Sequence, residues 1–169
     1  QIAERARKFR GKALYNLHHF IDLPLLEESY KRLNKQSAKG VDGVRWQDYG
    51  EGLNERLENL LKGFKSGRYR APAIRRAYIP KDKHSQRPLG IPTIEDKVLQ
   101  SSVQKVIEPI YEEEFKDFSY GFRPGRSQHQ AIDLMFGKVS FEKMHYIIDA
   151  DIKNYFGSIN HGFLREFLD

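Results

Sequence analysis

The 169-residue chain contains no cysteine, so neither a disulfide framework nor a thiolate metal site can form. That absence fits a reducing compartment, and a soluble protein of the cytoplasm is expected. No apolar run approaches the roughly 18 residues of a membrane-spanning helix, and no membrane partner is expected. The N-terminal residues are basic and amphipathic, without the apolar centre of a signal peptide. No internal repeat or low-complexity segment occurs. Acid is scarce in one stretch: from Lys62 to Arg87 nine basic residues accompany a single carboxylate, Asp82.

What is present leans basic. There are 29 Lys and Arg against 23 Asp and Glu, for a net charge of +6. This favours a polyanionic partner, although many soluble proteins are mildly basic. The Lys62 to Arg87 block is more telling, because Tyr69 and Tyr78 place stacking surfaces among its charges, as nucleic-acid sites often require. The plain alternative is a solvated charged face. The length suffices for one domain with a core, or for one domain and the start of another.

Hydrophobic periodicity outlines the elements. Ile2, Ala6, Phe9, Ala13, Leu17 and Phe20 recur at steps of three and four and predict one long helical face. Asp22 caps a second helix through Leu26, Tyr30 and Leu33, with Pro24 in its first turn. Asn34 to Gly43 is rich in turn residues and reads as a loop. Leu53, Leu57, Leu60, Leu61 and Phe64 mark a third helix, ended by Gly67. Arg75 to Lys81 and Arg87 to Pro92 then predict two short strands joined by a turn of about five residues, with prolines at their margins. Thr93 caps the next helix, which Pro109 should bend or nearly end. Ser127 with Gln130 forms a capping box. A strand at Tyr146 to Ala150 and a last helix capped by Asn160 complete the series. The order of elements stops partway, so a fragment is expected.

Three strings carry chemistry. Ile147-Ile148-Asp149-Ala150-Asp151-Ile152-Lys153-Asn154-Tyr155-Phe156 places a carboxylate at the end of a hydrophobic strand and an aromatic pair just beyond it. A charge there needs a partner, and a divalent cation is a natural one. Alone, Asp151 reads first as a turn or capping aspartate, and Phe156 equally as a core aromatic. Tyr78-Ile79-Pro80-Lys81, followed by Arg87-Pro88-Leu89-Gly90-Ile91-Pro92-Thr93, sets cations at the ends of a hairpin able to close over a triphosphate. Ser119-Tyr120-Gly121-Phe122-Arg123-Pro124-Gly125-Arg126-Ser127 combines a rigid loop with arginine donors suited to phosphate. His18, His19, His145 and His161 show no metal spacing.

In this order, from about Lys39 to Asp169, the three strings resemble the reverse transcriptases encoded by group II introns, the maturases. The resemblance implies that Asp151 and the carbonyl of Ile152 ligate magnesium, in a site of two ions in the full enzyme. It implies that Lys81 and Arg87 contact the nucleotide's phosphates, and that Phe156 packs under the sugar and excludes a 2′-hydroxyl. Arg123, Arg126, Arg75 and Arg76 would touch nucleic acid, while Gly90 and Pro92 shape the backbone where the template passes. Gly40-Val41-Asp42-Gly43 resembles the family's N-terminal loop, associated with template handling. Asp149 is assigned no ligand role.

Two departures stand out. Gly157 replaces the acid that commonly follows the aromatic pair, and the second acidic motif, an aromatic-Ala-Asp-Asp hairpin, has no counterpart. With one of three carboxylates, this piece should be inactive yet bind RNA.

The expected fold is α+β: helical fingers with a small antiparallel sheet and the beginning of a right-hand polymerase palm. Residues 1–37 would be an RNA-binding helical extension, 38–144 the fingers and 145–169 the start of the palm. The expected function is RNA-directed DNA synthesis, adding deoxynucleoside triphosphates to a DNA primer on an RNA template, coupled to intron RNA binding and splicing. A homodimer stays open. The alternatives are a maturase-like splicing factor that binds RNA without polymerising, and a relative recruited to another task with the same chemistry.

Overall fold

A computed structural model describes residues 1–80, 83, 85–142 and 144–168. They fall into two compact units, Gln1–Lys116 and Asp117–Asp169, each considered by itself. Among the described residues no helix is long and apolar enough to cross a membrane.

The first unit is organised around α5 (Ile94–Glu112). Thr93 opens it by accepting from the Asp96 N–H at 3.2 Å, which satisfies one of the free amides at a helix start. Ile94, Val98, Leu99 and Val106 form its buried stripe. Against this stripe pack α2 (Leu23–Arg32) and α3 (Trp46–Gly50), while α4 (Leu53–Lys65) packs on α2 and α3. Leu26, Tyr30, Leu57 and Leu60 join the same core. Each such side chain contributes about 1.5–3 kcal/mol when fully buried. Two serines also sit in this interior. The hydroxyls of Ser29 and Ser102 are 2.9 Å apart, and Ser102 is also bonded to the Val98 carbonyl, so neither is left unsatisfied. Pro109 does not end α5, which runs on to Glu112.

Helix α2 starts as its sequence predicts: Asp22 accepts from the Leu25 N–H at 2.9 Å and proline stands in the first turn. The expected single helix over the first 20 residues is not formed. Helix α1 covers only Ile2–Lys8, and a separate turn of 3-10 helix follows at Leu17–Phe20. Gly11 adopts φ +73° and Asn16 φ 62°, left-handed values that no right-handed helix can continue through. Apolar spacing registers the face but not this interruption. Arg7 anchors α1 to the end of α5 through a 2.7 Å contact with Glu113.

Strands β1 (Arg75–Pro80) and β2 (Gln86–Ile91) form a two-stranded antiparallel hairpin, as expected. Pro88 lies within β2 and not at its margin. A two-stranded ribbon has only edges, so the missing N–H costs no ladder bond with a further strand.

In the second unit α6 (Gln128–Phe141) carries the predicted capping box. Ser127 Oγ accepts from the Gln130 N–H at 3.3 Å and the Gln130 side chain accepts from the Ser127 N–H at 2.8 Å. Short α7 (Tyr155–Ser158) and α8 (His161–Leu168) follow, and Asn160 Oδ1 accepts from the Gly162 N–H at 2.8 Å. The predicted strand at Tyr146 to Ala150 is absent: residues 144–152 have no regular structure. A strand exists only with a partner to receive its N–H and C=O groups, and among the described residues none pairs here. The observed fold is thus mixed helical with one small antiparallel sheet.

Candidate nucleotide and nucleic-acid site

Pairing fixes which hairpin side chains share a face. Arg75, Ala77 and Ile79 lie opposite Ile91, Leu89 and Arg87, so these six point to one side. Arg76, Tyr78 and Pro80 lie opposite Gly90, Pro88 and Gln86, so these point to the other. Arg87 is exposed, and its side chain has no hydrogen bond or ion pair among the described residues. Its guanidinium therefore keeps all its donors for an anion. Lys81, the other expected phosphate contact, lies outside the described residues.

The root of the hairpin is fixed firmly. Arg75 Nε donates to the Lys39 carbonyl at 2.9 Å, and Lys97 Nζ on α5 donates to the Ala38 carbonyl at 2.9 Å. Between them Gly40 lies against the Pro92–Thr93 backbone. A Cβ there would meet the Thr93 Cα at 2.6 Å. The Gly40–Gly43 loop, the base of β2 and the start of α5 are thereby one packed joint, which makes Arg75 and Pro92 parts of that joint. Gly90 has its own reason to be glycine: an added Cβ would stand 2.8 Å from Ile74 Cγ2.

Beside this joint is a polar network that the sequence did not single out. Tyr69 donates its hydroxyl to Asp96 Oδ1 at 3.1 Å, and Gln100 Nε2 donates to Asp96 Oδ2 at 2.7 Å. Tyr49 reaches Glu95 Oε2 at 3.4 Å, with the Arg56 guanidinium 5.3 Å from its ring centre. Burial holds the Glu95 carboxyl above the usual range, and burial with the neighbouring carboxylates raises both tyrosine hydroxyls strongly. Tyr69 is therefore a tether to α5 and not an open stacking surface. The available signal was two acids in a helix's first turn, where the helix dipole favours them.

In the second unit the arginines of the Ser119–Ser127 loop fold back on it. Arg123 Nη1 donates to the Ser119 carbonyl at 2.9 Å and Arg126 Nη1 to the Asp117 carbonyl at 3.1 Å. Arg126 also lies 5.3 Å from the centre of the Tyr120 ring. These contacts brace a loop in which Phe122 has φ 57° and is fully exposed. Asp151, Ile152 and Phe156 are all exposed, and Phe156 meets Tyr155 edge to face at 5.1 Å between ring centres. Asn154, at φ 52°, opens α7, and its amide lies where a Cβ on residue 157 would be, 2.6 Å away. Glycine at 157 thus belongs to this turn.

Among the described residues no three or more His, Asp or Glu side chains gather as metal ligands. Asp151 is a single open carboxylate, and the residues present do not fit a centre for two magnesium ions.

Comparison with known proteins matches residues 79–168 to the family described as reverse transcriptase (RNA-dependent DNA polymerase). The chain is 36% identical over 164 residues to the group II intron-encoded protein LtrA of Lactococcus lactis subsp. cremoris, covering 95% of this chain and 27% of that protein. It is 38% identical over 130 residues to protein YkfC of Escherichia coli K12, covering 75% of this chain and 34% of the relative. A 91 kDa protein in the cob intron of Schizosaccharomyces pombe matches at 33% over 134 residues, which is 79% of this chain and 16% of the relative. The chain thus spans about a sixth to a third of the length of these relatives. The matched stretch includes most of the hairpin, the braced loop and the Asp151 string, and the chain belongs to the reverse transcriptase (RNA-dependent DNA polymerase) family, resembling within it the group II intron-encoded proteins.

Proposed function

We propose that this chain supplies the nucleotide-closing hairpin and one catalytic carboxylate of an RNA-directed DNA polymerase that also binds intron RNA. The observation that carries the proposal is the single family match from 79 to 168, a stretch that includes most of the hairpin and Asp151. Arg87, open and unpaired among the described residues, suits the phosphates of a deoxynucleoside triphosphate. Phe156 is exposed enough to meet the nucleotide's sugar, and the loop that Arg123 and Arg126 brace offers a cationic surface suited to template or primer phosphate.

Asp151 would be one ligand of a magnesium centre whose remaining carboxylates come from outside these 169 residues. The chain alone should therefore bind RNA without extending a primer. Residues 1–37, with Arg5 and Lys8 beside Phe20, offer a basic surface for the intron RNA. The test is primer extension on an RNA template by a protein that contains this chain together with the missing acidic motif. Deoxynucleotide incorporation supports the proposal. RNA binding without incorporation would point instead to a splicing factor that does not polymerise.

A further inference from the structure

The basic block does not present its arginines evenly. Arg68 Nε is turned to Ser66 Oγ at 3.1 Å, Arg70 Nη1 donates to the Gly67 and Tyr69 carbonyls at 2.9 Å each, and Arg75 is held on Lys39. Arg76 and Arg87 have no side-chain partner among the described residues, and the strand register sends them to opposite faces of the hairpin. The Arg87 face is the more covered, with Ala77 and Ile91 half-buried.

The other face is exposed along its length and carries no acid: Arg76, Tyr78 and Pro80 opposite Gly90, Pro88 and Gln86. Tyr78 is 59% exposed and its ring meets no other ring or cation among the described residues. Beside Arg76, glycine at 90 leaves room for Ile74, which lies where a Cβ would stand. The result is an exposed strip with one open aromatic plane and one free guanidinium two residues away on the same side.

We infer that this second face is a stacking platform for single-stranded RNA, with a base on the Tyr78 ring, Arg76 on the adjoining phosphate and Gln86 as a polar contact. Stacking suits any base, so the strip grips a strand without reading its sequence. Duplex RNA hides its base faces and cannot use it. The hairpin is then two-sided, with nucleotide phosphates on the Arg87 face and an unpaired strand on the Tyr78 face. This rests on the proposed nucleic-acid function and adds a second binding surface to it.

The test uses the 169-residue chain, a fluorescein-labelled 12-nucleotide uridine RNA and a labelled 12-base-pair RNA duplex, with binding followed by anisotropy. Tyr78→Ala should weaken the uridine RNA about tenfold and leave the duplex unchanged. Tyr78→Phe keeps the ring and should bind as the parent does. Arg76→Gln should lower the slope of log affinity against log salt by about 0.7. Equal binding of the uridine RNA by the alanine variant and the parent overturns the platform alone. Parallel loss on both RNAs also overturns it, since stacking then plays no part. A parent chain that binds neither RNA removes the underlying nucleic-acid proposal as well.

Discussion

Gly40 lies so close to Thr93 that a Cβ on it would stand 2.6 Å from the Thr93 Cα and 2.8 Å from its amide nitrogen. Both obstacles are backbone, at the capping residue of the central helix, so neither can turn aside. Gly40→Ala must push the loop off α5 or distort the cap. Overpacking of this kind costs about 1–3 kcal/mol. Chemical denaturation should show that loss, whereas Gly43→Ala, with open space around its Cβ position, meets backbone strain but no neighbour.

The network at the start of α5 gives the stability a defined pH dependence. Glu95 has its carboxyl raised by burial, so the folded state holds the proton more tightly than the unfolded chain. Its contribution is fully present below the unfolded value and is lost as pH rises through the folded one. Glu95→Gln should thus raise stability at neutral pH and flatten the curve from the normal glutamate value upward. The raised hydroxyls of Tyr49 and Tyr69 act in the same direction at alkaline pH. Stability should fall as pH passes about 10, the unperturbed tyrosine value. Absorbance titration of phenolate alongside urea unfolding across this range checks both effects.

Arg87→Ala in a polymerising protein should raise the KM for deoxynucleotide about tenfold or more, as expected for the loss of a charged hydrogen bond. Affinity for the RNA template should change little if, as proposed, Arg87 serves the nucleotide's phosphates. Steady-state primer extension at varied nucleotide concentration makes the comparison. An unchanged KM would take Arg87 away from the phosphates.

Local chemistry was the most legible part of the fold. Asp22, Thr93 and Ser127 each bond an amide three residues on, a pairing written entirely within a short string. The hairpin was legible for a similar reason, since two short β-prone runs flank a polar turn. Helix α3 escaped notice because tertiary contacts define it. Trp46 stacks on Tyr30 at 4.6 Å between ring centres, and each donates to the other's carbonyl, Trp46 Nε1 at 3.0 Å and Tyr30 Oη at 2.8 Å. The Tyr146 to Ala150 run has strand composition, yet composition supplies no neighbour to pair with. For the candidate site, residue types and order were readable. The turning of Arg75, Arg123 and Arg126 onto backbone carbonyls was not, because it depends on where those carbonyls come to rest.

Polymerisation, as proposed, depends on the carboxylate of Asp151. The most direct measurement is primer extension on an RNA template by a full-length protein containing this chain, comparing the parent with Asp151→Ala under saturating magnesium and deoxynucleotides. The substitution should abolish extension while RNA affinity stays within about twofold, since removing an exposed side chain leaves the packing intact. Extension by the alanine variant at the parent's rate would contradict the account.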